Sequence, residues 1–125
     1  MKKILIVDDQ PQVRELVAVT LQTYNYQLFL AENGQQALQL AQKEHPHLIL
    51  LDVMLYGSEL DGLEVCRYLK KDPSTQDIPV ILLTASGQKS NIEAGRAAGA
   101  DDYITKPFSP LALAEKIQAM IGQRN

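Results

Sequence analysis

Three aspartates, a threonine and a lysine each follow a short apolar or mixed run. Asp8 and Asp9 follow Ile4-Leu5-Ile6-Val7, Asp52 follows Leu48-Ile49-Leu50-Leu51, Thr84 follows Val80-Ile81-Leu82-Leu83, and Lys106 follows Asp102–Thr105. Brought together, they make an oxygen-rich pocket with one ammonium. Like charges roughly 5 Å apart repel by about 3 kcal/mol at an effective dielectric of about 20, so three carboxylates in one crevice need a cation. An all-oxygen set with room for water suits Mg²⁺ better than zinc. The same set holds the parts for accepting a phosphoryl group: a carboxylate nucleophile, a metal and a cation. That reaction needs mainly positioning and charge neutralisation. One aspartate after a strand is ordinarily a helix cap. Four strand ends that are all polar in the same direction are not explained that way.

Such convergence requires strands that all point one way. The first, third and fourth runs are continuously apolar, as in central parallel strands buried on both faces. Gln27–Ala31 and Asp102–Thr105 read as two shorter strands. Between them lie helical patterns. Val13, Leu16, Val17, Leu21 and Tyr24 share one face, with Pro11 in the first turn. A second helix runs from Gly34 to Lys43 on Ala37, Leu38 and Ala41. Asp61 caps a third, which carries Val65, Cys66 and Leu69 and stops at Asp72-Pro73. Ser90–Ala98 is an Ala- and Gly-containing fourth, and Ser109-Pro110 opens a fifth with Leu113, Ala114, Ile117, Met120 and Ile121. The alternation predicts an α/β, doubly wound, five-stranded parallel sheet with five flanking helices. Right-handed crossovers leave few strand orders, of which the flavodoxin-like 2-1-3-4-5 is one and is the order expected here, with ligands outside the carboxyl ends of the strands.

Composition narrows the function classes. At 125 residues the chain is expected to be one domain over 1–125, burying about 65% of its unfolded surface. Fifteen acids against twelve Lys and Arg give a net charge of -3, which argues against direct nucleic-acid binding. The single Cys66 excludes an intramolecular disulfide and a cysteine-rich zinc site. Met1-Lys2-Lys3 leads into four apolar residues and then two aspartates, which is no signal peptide, and no run approaches a membrane span. The expectation is a cytoplasmic protein without membrane insertion.

In their order and spacing, Ile4–Asp9, Leu50-Leu51-Asp52, Asp61-Gly62, Leu83-Thr84-Ala85 and Gly99–Phe108 resemble the response-regulator receiver domains of two-component signalling, of the chemotaxis-type single-domain kind. The resemblance covers essentially the whole chain. It implies that Asp52 takes a phosphoryl group from the phosphohistidine of a histidine kinase or histidine phosphotransfer protein. It implies that Asp9, Asp52 and the backbone carbonyl of Met54 bind Mg²⁺, with Asp8 acting mostly through water. Lys106 would pair with Asp52 and then with a phosphoryl oxygen, and the Thr84 hydroxyl would donate to another. The Lys106-Pro107 bond is expected to be cis. Phosphorylation adds charge and acceptor oxygens. Thr84 would then move towards them and Tyr103 turn inward, remodelling the face of the fourth helix, fifth strand and fifth helix for an unspecified output protein. That fourth helix has few large side chains to bury and should shift cheaply. Such a chain catalyses only its own phosphotransfer and dephosphorylation, and is not an enzyme with a separate substrate. Phosphorylation-dependent dimerisation stays open. The last helix is followed only by Gly122-Gln123-Arg124-Asn125, consistent with a stand-alone receiver or one cut from a longer protein.

The pattern also departs from the family. The usual Met-Pro after the acceptor is missing, and the stretch from Asp52 to Gly62 is two residues longer than usual. Tyr56 and Glu59 are therefore expected over or beside the pocket, as a tolerated surface insertion or as a device tuning metal access or partner choice. Met54 and Ser86, two residues beyond Asp52 and Thr84, flank the path of the hydrolytic water in the family. Neither is acidic or amide-bearing, which implies slow self-dephosphorylation. His45 and His47 read as solvated loop residues at the far end of the third strand, and Lys70-Lys71 as a solvated helix end. Cys66 reads as core, and Tyr24, Tyr26 and Phe29 as core and edge packing. The alternatives are a degenerate receiver acting by constitutive binding, an aspartyl-phosphate phosphatase, and a flavodoxin-like cofactor carrier. A phosphatase of the haloacid-dehalogenase type needs an aspartate where Met54 stands. The carrier needs a phosphate-cradling loop where Asp8-Asp9 would repel phosphate.

Overall fold

The structure, a computed structural model, describes residues 1–85 and 89–122. Its elements alternate as expected: β1 (Lys3–Val7), α1 (Pro11–Gln22), β2 (Gln27–Ala31), α2 (Gly34–Glu44), β3 (Leu48–Asp52), α3 (Gly62–Lys71), β4 (Val80–Ala85), α4 (Lys89–Ala97), β5 (Asp102–Lys106) and α5 (Pro110–Ile121). The five strands are parallel in the order β2-β1-β3-β4-β5. This is the flavodoxin-like doubly wound sheet anticipated from the sequence.

The apolar runs are continuous because both faces of the sheet are covered. Leu5, Val7, Ile49, Leu51, Val80 and Leu82 pack with Ala37 and Ala41 of α2 and Val65, Cys66 and Leu69 of α3. The alternate residues Ile4, Ile6, Leu48, Leu50 and Ile81 pack with Val17 and Leu21 of α1 and Leu113, Ala114 and Ile117 of α5. Helix starts are capped as the residue types suggest. Asn33 accepts from Gln36 N–H and Ser109 from Ala112 N–H. Asp61 and Glu64 form a reciprocal capping box at 2.9 and 3.1 Å.

Two expectations need correction. Leu16 is 45% exposed, not part of the buried stripe. Three- and four-residue spacing marks a stripe wider than the part of α1 that is covered, where Val17 and Leu21 are buried. Lys70 is no solvated helix end. Its ammonium donates to the carbonyls of Ile78 (2.8 Å) and Gln76 (3.3 Å) and to Asp101 Oδ2 (2.9 Å), tying α3 to the turns before β4 and β5. His47 is exposed, as expected of a loop residue, and its Nδ1 accepts from Lys3 N–H at 2.9 Å. Burial, with the charges of Lys2, Lys3 and the N-terminus, holds its imidazole below the ordinary range. Tyr24 and Tyr26 stack with centroids 6.3 Å apart, and Cys66 is core. No helix among the described residues is long and apolar enough to cross a membrane.

Candidate functional site

Strand register builds the site. Val7 pairs with Leu51, so Asp8 and Asp52 leave the sheet side by side, while Lys106 closes β5 opposite Ala85. The Lys106 ammonium reaches back to both carboxylates, 3.0 Å from Asp8 Oδ2 and 2.9 Å from Asp52 Oδ2. The other oxygens are engaged as well. Asp8 Oδ1 accepts from Gln10 N–H at 2.9 Å, and Asp52 Oδ1 accepts from Met54 N–H at 3.1 Å. Asp8 is fully buried, Asp52 nearly so, and Asp9 is half-buried. Asp8, Asp9 and Asp52 each offer an oxygen within 4.8 Å of the others. Three carboxylates thus lie together, and one ammonium bridges two of them.

Burial, more than the balance of charges, sets the electrostatics of the site. Burial pushes the Asp52 carboxyl up to about 6, against the lowering effect of the Lys106 hydrogen bond, while the neighbouring Asp8 charge adds to the rise. Burial also works against the Lys106 ammonium, but its hydrogen bonds and ion pairs with Asp52 and Asp8 prevail and hold its pKa above the usual lysine value.

Above this floor opens a cleft of about 550 Å³, with Asp9, Asp52 and Lys106 at its base and Val13, Leu16, Met54, Tyr56 and Phe108 around it. The Lys106-Pro107 bond is cis, as expected. Gly62 lies so close to the end of β3 that a Cβ there would collide with the Asp52 carbonyl oxygen. Thr84, 2% exposed, lines a second cavity of about 300 Å³ under α4, together with Leu82, Gly95 and Tyr103. Tyr103 is 36% exposed at its edge.

The structure therefore brings Asp8, Asp9, Asp52, Met54 and Lys106 to one cleft and places Thr84 and Tyr103 at the adjoining cavity. Ser86 lies outside the described residues. Of the longer loop, Tyr56 borders the cleft. Glu59 does not, because its Oε2 accepts from Gln35 Nε2 on α2 at 3.3 Å. Sequence reasoning missed Arg14, whose Nη1 donates to the Asp8 carbonyl at 2.6 Å while its Nη2 lies 3.9 Å from Glu32. It thus steadies the turn that carries the two aspartates. An arginine within the first turns of a helix gives no local sign of this.

Comparison with known proteins agrees with this geometry. The profile of the response regulator receiver domain matches residues 4–118. The phosphate regulon transcriptional regulatory protein PhoB of Pseudomonas aeruginosa is 49% identical over 120 residues, covering 96% of this chain and 52% of that protein. This chain spans about half the length of the curated relatives it matches. Among solved structures, the chemotaxis response regulator CheY4 of Vibrio cholerae superposes with a TM-score of 0.88 at 31% identity, covering 96% of this chain and 98% of that one. The receiver domain of sensor histidine kinase PA1611 from Pseudomonas aeruginosa, solved with a magnesium ion in its active-site cleft, gives 0.87 at 30% identity, covering 97% and 98%. A lysine-bridged aspartate pair at the ends of β1 and β3, on this sheet and with these relatives, places the chain in the response regulator receiver family of two-component systems.

Proposed function

We propose that the chain receives a phosphoryl group on Asp52 from the phosphohistidine of a histidine kinase or histidine phosphotransfer protein. The observation that carries this reading is the Lys106 bridge between Asp8 and Asp52 at the floor of an open cleft. With its carboxyl at about 6, Asp52 is mostly ionised at neutral pH and able to act as a nucleophile. One Asp52 oxygen forms the new P–O bond as the P–N bond to the donor histidine breaks, and the imidazole leaves with the electron pair. The Met54 N–H and the Lys106 ammonium hold the two oxygens in place, so attack needs no reorganisation of the acceptor.

The donor set fits a hard divalent cation: all oxygen, three carboxylates, and one ammonium to balance them. Asp9, Asp52 and the Met54 carbonyl would hold Mg²⁺, with Asp8 acting through water, and the ion would supply charge neutralisation for the transfer. Lys106 then pairs with a phosphoryl oxygen, and the Thr84 hydroxyl donates to another. The cavity shared by Thr84 and Tyr103 is where the Tyr103 ring turns inward, which remodels the α4–β5–α5 face. We read the output as a protein contact in the cytoplasm, and the chain as catalysing only its own phosphotransfer and dephosphorylation.

Incubation with Mg²⁺ and acetyl phosphate, followed by intact mass measurement beside Asp52→Asn, tests this. One added phosphoryl group that requires both Mg²⁺ and Asp52 is expected. A chain that takes neither phosphoryl nor the mimic beryllium fluoride overturns the reading in favour of a degenerate receiver.

A further inference from the structure

We infer that Tyr56 is an access-determining residue for Asp52, an aromatic rim that limits how freely water and small phosphodonors enter the cleft. The inference rests on Asp52 being the phosphoacceptor. Tyr56 is 70% exposed and borders the cleft beside Met54, above Asp9, Asp52 and Lys106. Its place there is built. Ser58 N–H donates to the Leu55 carbonyl at 3.1 Å, closing a four-residue turn whose third residue, Gly57, has φ +78°. That backbone suits glycine and leaves Tyr56 at the turn's second position. Both sides of the turn are anchored. Leu55 is 5% exposed, and the Ser58 hydroxyl accepts from Gly34 N–H at 3.0 Å while donating to the Leu60 carbonyl at 2.7 Å. The loop is therefore a strap fastened to the start of α2 rather than slack chain.

The chemistry gives the direction of the effect. In hydrolysis of phospho-Asp52, a water oxygen forms a bond to phosphorus while the bond from phosphorus to the aspartyl oxygen breaks. The Asp52 carboxylate is regenerated, and phosphate leaves with the proton. In-line attack comes from the side opposite Asp52, which is the cleft mouth. Met54 and Tyr56 offer no carboxylate or amide there to orient that water, and the Tyr56 ring takes up part of its approach.

The test compares the wild type with Tyr56→Ala, Tyr56→Phe, Ser58→Ala and Glu59→Gln. Each is loaded with acetyl phosphate and Mg²⁺, freed of donor, and followed by intact mass for loading and decay. Tyr56→Ala is expected to speed both loading and decay by about threefold or more, and Tyr56→Phe to restore wild-type rates within about twofold. Ser58→Ala, which frees the strap, should shift both rates in the direction of Tyr56→Ala. Glu59→Gln, on the same loop but held to α2, should match the wild type. Equal thermal midpoints for Tyr56→Ala and wild type separate access from damage to the fold. Tyr56→Ala rates equal to wild type, or a Tyr56→Phe as fast as Tyr56→Ala, overturn the inference. A wild type that takes no phosphoryl group overturns the phosphoacceptor reading instead.

Discussion

Asp52 and Cys66 show what burial does to a single ionisable group. The Asp52 carboxyl titrates near 6 in the fold, against 3.8 ordinarily, so the fold disfavours its ionised form. Its contribution to stability is therefore fully present below the ordinary value and is lost as pH rises through about 6. With divalent ions chelated, Asp52→Asn is expected to be the more stable protein at pH 7.5 by roughly 1–3 kcal/mol, a gain that vanishes towards pH 4. Urea unfolding at the two pH values checks this, and equal stabilities at both would contradict it. Cys66 is wholly buried, its thiol donating to the Ala98 carbonyl at 3.5 Å, and burial pushes it up to about 11. At pH 8 it should react with iodoacetamide at least about 100-fold more slowly than free cysteine, recovering in denaturant. Fast modification of the native protein would show that α3 opens readily.

Elements hold together through a few groups that tie their ends. Lys70 is one, since its ammonium serves carbonyls before β4 and the Asp101 carboxylate before β5. Asp101 in turn accepts from Val80 N–H at 2.8 Å. Lys70→Met keeps the stem but leaves these acceptors short of a donor, and should cost roughly 1–3 kcal/mol in urea unfolding. The Asp101 side of the pair is partly exposed, which argues for the lower end. Lys71, with no bond of this kind among the described residues, serves as the comparison, and Lys71→Met should be near neutral. Lys70 also marks where the sequence stops being legible. The strands, the caps at Asp61 and Ser109, and the cluster of Asp8, Asp9, Asp52 and Lys106 follow from local pattern and strand polarity. The reach of Lys70 depends on Asp101, thirty-one residues away, and on room left by Gly99, which no periodicity reports. Leu16 was misplaced for a related reason: three- and four-residue spacing admits more positions than one helix face can bury. Glu59 was drawn away by Gln35, a contact set by how the strap lies on α2.

Across the whole molecule, the doubly wound sheet concentrates charge at one end. Parallel strands in the order β2-β1-β3-β4-β5 deliver every polar terminus to the same edge, so three carboxylates meet one ammonium there while the buried apolar faces remain uncharged. A cation that binds this edge in the folded chain and not in the unfolded one must stabilise the fold by mass action. At ten times its dissociation constant the gain is about 1.4 kcal/mol. For a domain of this length that is a rise in Tm of about 3–6 °C. Mg²⁺ should produce such a rise with a saturating dose dependence, EDTA should reverse it, and Asp9→Asn should remove most of it. Asp9 is chosen because it borders the cleft and is half-buried, so its loss takes away a ligand without opening the Asp8–Lys106–Asp52 bridge. A Tm that climbs equally with Na⁺ at matched ionic strength would mean general screening of the acidic edge. A Tm unmoved by Mg²⁺ would mean that Lys106 alone settles the charge of the site.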